Sequence, residues 1–484
     1  MSRDLGAPMD WSLAPTKLWA YQVHALDALR ESQPVARRLA LLDRWSEANP
    51  FASRPGWDPY PTSLRIVNAL ELLLAAGFEG TRAAAIADQA WWLEGNVEND
   101  VGANHLFKNA LALAWAGRAL RGRSAERWRA RGDALLAREL LAQLLPDGFH
   151  VERSPGYHAV LVDDLIRFER LLRAAGEADG AFARGVIEAR RRAAAALASI
   201  VHPDGDIPLF NDAALGQAPP GAWILDRATE LDAVVAPTAD PRGAPAAGLH
   251  RLAGDASVVL FDAGDIGFDG QPAHAHADTL SFELSYGTTR VVVDAGVFDY
   301  EATPERAYAR STRSHNTLEL DGVDQSEMWG VFRVGRRARP LDVRREETGA
   351  RAAIEASHDG YRHLRGGPVH RRRMEHLGGD VWLVEDTVSG GDEHCAVSRI
   401  RLHPRFATVA ERDGVLEAAA GSVAVRIVAS SPRCLTVERG SYYPSFGRSE
   451  SCLVVCLTAA GPLPLTIAYR LELSTLSPSE RPGA

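Results

Sequence analysis

His274, His276 and Asp278 stand two apart in GQPAHAHADTLSFELSYGTTRVVVDAG, the run from Gly270 to Gly296. Residues two apart share a face on an extended segment. If the strand already runs through the histidines, two imidazoles and a carboxylate crowd one face, which continues as Leu280, Phe282 and Leu284. Such a set either does chemistry or must be neutralised. A second polar cluster, RAYARSTRSHNTLELDGVDQSEMWGVFRVGRRARP, contributes Arg310, Arg313, His315, Asn316, Gln325, Glu327 and Trp329. His276, Asp294 and His315 offer two imidazoles and a carboxylate, a donor set for zinc or a similar divalent ion. Spacing alone does not separate this from three side chains that satisfy one another in a core, because a chain with 15 histidines produces such trios by chance.

Three earlier segments are unusually polar for their positions. NVENDVGANHLFKNALALAWAG puts Asn99, Asp100, Asn104 and His105 where an Ala/Leu-rich helix begins. HVERSPGYHAVLVDDL puts Ser154, Tyr157 and His158 around the helix-starting Pro155. Asn104 and Ser154 are also ordinary capping residues, and a buried tyrosine with a bonded hydroxyl is the plainer reading of Tyr157. GWDPYPTSLRIVNAL mixes Trp57, Tyr60, Arg65 and Asn68, which suits a sugar ring and its substituents or, equally, a packed loop.

The elements that must position these residues change period once. Up to about residue 200 the apolar spacing is helical, as in Trp19, Val23, Leu26, Leu29 and in Leu161, Leu165, Phe168, Leu172. A Pro/Gly/Asp-rich stretch then interrupts any period and ends near Gly248. Beyond it the period is two, as in Leu465, Ile467, Tyr469, Leu471 and Leu473. The expectation is an α+β chain of two domains: helices over 1–235 and an antiparallel β-sandwich over 245–478. A length of 484 residues is too great for one ordinary core.

Composition narrows the function classes. With 46% hydrophobic and 24% charged residues the chain is globular, and a net charge of −9 argues against general nucleic-acid binding. No apolar run reaches the roughly 20 residues that a membrane span needs. The start, MSRDLGAPMDWSLAP, lacks the apolar core of a secretory signal, which predicts a cytoplasmic location. Cys395, Cys434, Cys452 and Cys456 lack CxxC spacing and read as core thiols, with disulfides an option if the chain is exported. The oligomeric state is not legible.

GANHLFKNA, RSPGYH, IPLFNDAA, HAHADTLSFEL followed by VVVDAG, and RSTRSHNTLELDGVDQSE occur in this order across the chain. Through these five segments it resembles the heparinase II/III-type polysaccharide lyases. The resemblance implies an N-terminal (α/α) toroid, a C-terminal antiparallel β-sandwich, a glycan cleft served by both, and a periplasmic alternative for location. It implies catalytic roles for Asn104, His105, Tyr157 and His274, and a structural divalent metal, zinc, at His276, Asp294 and His315. The expected partner is an acidic polysaccharide or oligosaccharide, contacted by Trp57, Tyr60, Arg65, Asn68, Asn99, Arg310 and Arg313. Some relatives carry an acidic residue three positions after the helix histidine, where this chain has Lys108.

The implied reaction explains the residue types. A uronate lyase takes the C5 proton beside a carboxylate, forms the C4–C5 double bond and expels the C4 oxygen. One group must stabilise the developing dianion, a second must take the proton and a third must protonate the leaving oxygen. The resemblance gives Asn104 and His105 the first task, His274 the second and Tyr157 the third; a tyrosine can also do both transfers when proton and leaving group share one face. Two other readings stay open: a glycan-binding or polysaccharide-biosynthesis protein without catalysis, and a metal-dependent hydrolase, for which no recognisable carboxylate pair is present.

Overall fold

The computed structural model describes residues 10–12, 16–232, 240–348, 351–431 and 434–480. The expected end of the helical domain at residue 235 lies outside them. Among the described residues nine α-helices precede the first strand: α1 (Lys17–Ala25), α2 (Val35–Ala48), α3 (Pro59–Ala76), α4 (Gly80–Gly95), α5 (Ala103–Ala119), α6 (Arg123–Gln143), α7 (Pro155–Ala174), α8 (Ala181–Ile200) and α9 (Gly221–Asp232). A short α10 (Pro304–Arg310) lies among the strands. No helix among the described residues is long and apolar enough to cross a membrane.

The chain divides into two compact units that are not consecutive in sequence. One comprises Met1–Leu144 and Asp164–Arg190, the other Leu145–Asp163 and Arg191–Ala484. In the first, α5 is buried along almost its whole length, as its Ala/Leu composition requires. It meets α6 backbone to backbone: a Cβ on Gly132 would stand 2.4 Å from Ala114 N, and one on Gly117 2.4 Å from Arg129 N. Alanine at either position would push the helices apart.

Among the described residues the second unit holds one two-stranded hairpin and three antiparallel sheets of four or more strands. One runs in chain order from Gly243–Ala244 through Leu249–Ala253, Ser257–Asp262 and Phe282–Tyr286 to Thr289–Val292. An eight-stranded sheet has Leu465–Thr475 and Val381–Ser389 at its centre, and a four-stranded sheet contains Leu318–Leu320, Glu393–Arg401, Leu435–Tyr442 and Glu450–Pro462. The alternation expected at the C-terminus is present: Ile467, Tyr469, Leu471 and Leu473 are buried and Leu465 is half-buried. Each fully buried aliphatic side chain of this kind stabilises by roughly 1.5–3 kcal/mol. The four cysteines are free thiols; Cys452 and Cys456 are buried, Cys395 is exposed.

The strand after the opening histidines begins only at Phe282. Residues 274–281 form an irregular segment, so the face-sharing expected of an extended strand does not apply to His274, His276 and Asp278. Leu280 ends this segment in the left-handed region, with φ 66°. Its N–H donates to Asp262 O at 2.8 Å, and its carbonyl accepts from Arg372, contacts that hold a conformation costing a branched residue about 1–3 kcal/mol.

Candidate active site

Asp212 is the hub of the second unit's polar cluster. It is fully buried in the loop after α8. Its Oδ2 accepts from His274 Nδ1 at 2.9 Å and its Oδ1 from His276 Nε2 at 2.8 Å. Arg306, on α10, bridges both oxygens, with Nη2 2.8 Å from Oδ2 and Nη1 on Oδ1. Burial alone would raise this carboxyl; the Arg306 charge and the two imidazole hydrogen bonds reverse that and hold it well below the usual range. An ionised Asp212 therefore takes one N–H from each ring, and in the neutral form of each the lone pair falls on the other nitrogen.

The two free nitrogens face different neighbours. His274 Nε2 stands 3.9 Å from Glu152 Oε2, and the His274 ring lies 4.1 Å from that of Tyr157. The Tyr157 hydroxyl is 3.3 Å from that of Tyr300. Tyr157 is placed by the first turn of α7, where Pro155 opens the helix and Ser154 Oγ accepts from the Tyr157 N–H at 3.4 Å. Ser154 is thus the cap, and its hydroxyl donates to Asp212 O at 2.8 Å.

His276 turns the other way. Its Nδ1 is buried without a hydrogen-bond partner, as is His315 Nε2, and the two rings lie 5.3 Å apart. One donor atom each from His276, Asp278 and His315 falls within 4.8 Å of the others. Asp294 lies on the opposite side of His315, its Oδ2 2.7 Å from Nδ1, while its Oδ1 accepts from Gly296 N–H at 3.1 Å. Metal-ligating imidazoles commonly hold a carboxylate on their second nitrogen, and here both do. Burial and the nearby Asp262 push the Asp278 carboxyl well above its normal value, and burial pushes Asp262 to about 7. Burial lowers His276 to about 4, so its ring stays neutral. Two partnerless buried ring nitrogens beside the Asp278 carboxyl fit a divalent cation.

The remaining expected residues are scattered. Asn104 and His105 belong to the first unit, on the first turn of α5; Gly102, not Asn104, occupies the cap position. His105 Nδ1 is 3.0 Å from Glu98 Oε1, and its ring is 4.3 Å from Tyr60. Asn99 is exposed and donates to Val97 O at 3.2 Å. Trp57, Arg65 and Asn68 are buried packing residues: Trp57 donates to Asn49 O at 3.2 Å, Arg65 to His24 O at 2.7 Å and Asn68 to Ala25 O at 3.1 Å. Arg310 is likewise buried on backbone carbonyls, among them Ala275 O at 3.2 Å. Arg313 is exposed over the Tyr308 ring at 5.2 Å. Lys108 is buried in an ion pair with Asp164, so its charge is already neutralised. Asp212, Glu152, Tyr300 and Arg306 escaped sequence reasoning. The one available signal was an Asp at the end of the apolar IPLF run, where an unpaired carboxylate would be costly.

Comparison with known proteins bears on this arrangement. The chain matches the family description "Heparinase II/III N-terminus" over residues 75–220 and "Heparinase II/III-like, C-terminal" over residues 236–471. A curated relative, FtsZ-localized protein C of Caulobacter vibrioides, is 24% identical over 83% of this chain and 69% of its own length. Heparin-sulfate lyase of Pedobacter heparinus is 27% identical over 40% of this chain and 32% of its own length. The crystal structure of heparinase III superposes with a TM-score of 0.74 at 19% identity, covering 98% of this chain and 80% of that one. The fold expected from the sequence, a helical toroid followed by an antiparallel β-sandwich, is therefore this chain's fold.

Proposed function

The chain belongs to the heparinase II/III family, and from that premise we propose that it is a polysaccharide lyase cleaving a uronate-containing glycan by β-elimination. The observation that carries the reading is the His274–Tyr157 pair, rings 4.1 Å apart, with His274 Nδ1 held on a buried, ionised Asp212. In that tautomer Nε2 is a proton acceptor aimed away from the carboxylate, the form a general base requires. His274 takes the C5 proton, the C5 electron pair forms the C4–C5 double bond, the C4–O bond breaks, and the Tyr157 hydroxyl protonates the departing oxygen. Asn104 and His105 are assigned to the uronate carboxylate on the family likeness. Their task is to stabilise the second negative charge as it develops.

A divalent ion, zinc by its donor set, is proposed at His276, His315 and Asp278, with Asp294, the carboxylate expected from the sequence, on the far nitrogen of His315 instead. When bound it supplies positive charge among buried acids and ties the 274–278 segment to His315. The proton transfers are the work of this chain's own side chains.

A reading without catalysis has one observation in its favour: the relative matching over 83% of this chain is named for localisation with FtsZ, not for a reaction. Product mass separates the readings. Fragments of an acidic glycan whose masses sum to that of the substrate indicate elimination, a sum larger by one water indicates hydrolysis, and intact substrate across a panel of uronate glycans favours the binding protein.

A further inference from the structure

Beside the candidate base lies a hairpin that the reaction does not use. Met328–Trp329 pairs antiparallel with Arg333–Val334, and Gly330, at φ 56°, makes the turn. It carries two large aromatic side chains outward, Trp329 54% exposed and Phe332 42% exposed. Large exposed aromatics on a fixed backbone ask for an explanation in a way that scattered ones do not.

This backbone is fixed from below. Two buried arginines of α10 donate to it: Arg310 to Gly330 O at 2.9 Å and Arg333 O at 3.4 Å, and Arg306 to Val331 O at 2.9 Å. Arg306 is the same side chain that bridges Asp212, so one guanidinium sets the hairpin's distance from the carboxylate that orients His274. The Phe332 ring lies 6.3 Å from His274 and 5.6 Å from Tyr300. The indole of Trp329 packs over Gly335, where a Cβ would come within 3.1 Å of it. Arg333, which follows Phe332 and pairs across the hairpin with Trp329, is also exposed.

We propose that residues 328–334 form a sugar-binding subsite next to the bond that is cleaved. Phe332 and Trp329 take the C–H face of a pyranose ring, and Arg333 takes that sugar's carboxylate or sulfate. Aromatic faces suit sugar C–H groups because both are apolar surfaces fringed by hydrogen-bonding groups, and the cation selects an acidic chain over a neutral one. The inference takes from the lyase reading only that a glycan lies at His274.

The test is direct binding of heparan sulfate, polygalacturonate and alginate oligosaccharides by calorimetry, with neutral dextran as control. It compares the unmodified chain with Trp329→Ala, Phe332→Ala and Arg333→Gln. All three positions are exposed, and melting temperature checks that folding is kept. Each aromatic substitution is expected to weaken binding of the preferred acidic glycan about tenfold, and Arg333→Gln to flatten its salt dependence. Full-strength binding by both aromatic variants, or no binding of any acidic glycan by the unmodified chain, overturns the subsite. Assaying the same mixtures for unsaturated product keeps the two claims apart: aromatic-dependent binding without elimination upholds the subsite and removes the lyase.

Discussion

Asp212 shows how one carboxylate sorts two histidines of the same short motif. Each ring turns one nitrogen to it, His274 Nδ1 and His276 Nε2, so the two remaining nitrogens point to different tasks. The family resemblance implied this division, which needs a kink between the two histidines; spacing alone put both rings on one face, and the carboxylate that sorts them, Asp212, was one acid among 63 acidic residues. Burial was equally invisible: Arg65 and Asn68 have residue types that suit a sugar site, yet both serve the interior. Substitutions separate the roles. His274→Ala is expected to lower kcat by about 10²–10⁴ with little change in melting temperature. Asp212→Asn is expected to lose activity and also roughly 3–5 kcal/mol of stability, since Arg306 would stay buried without its anion. Chemical denaturation beside initial rates measures both; an Asp212→Asn protein as stable as the unmodified chain would refute the hub role.

At the scale of elements, the change of apolar period was the most legible feature, because periodicity depends only on which face is buried. The helix starts were half legible. Ser154 caps α7 as its type suggests, whereas α5 is capped by Gly102 and carries Asn104 inside its first turn. The same α7 turn holds a pH prediction. His158 is fully buried, stacked 4.1 Å from Phe149, its Nε2 3.0 Å from Ala193 O, and burial lowers its pKa to about 3. Between that value and the ordinary 6.5 the unfolded chain binds a proton that the folded chain refuses. Stability from this group is therefore complete above pH 6.5 and declines as pH falls towards 3. Denaturation midpoints at stepped pH should show that decline, and His158→Gln should flatten it; an unchanged slope in the variant would assign the effect elsewhere.

At the scale of the whole molecule, the apolar period changes once along the chain, whereas the two compact units interleave segments. The start of α7 joins the strand-bearing unit through contacts such as Ser154 Oγ to Asp212 O, which no local pattern announces. The proposed metal acts at this scale too, because an ion shared by His276 and His315 ties together segments about forty residues apart. Chelation is expected to lower the melting temperature by on the order of 5 °C, and His315→Ala should lower both metal content and melting temperature. Protein purified without any divalent metal, and indifferent to chelator, would remove the ion from the account. The central claim is that this molecule eliminates, with Tyr157 as the acid. Its most direct test is the ultraviolet absorbance of the conjugated double bond formed from a panel of uronate glycans by the unmodified chain and by folded Tyr157→Phe. The account predicts product from the unmodified chain and a rate lower by about 10²–10⁴ in the variant; near-normal absorbance growth with Tyr157→Phe, or none from the unmodified chain on any uronate glycan, would contradict it.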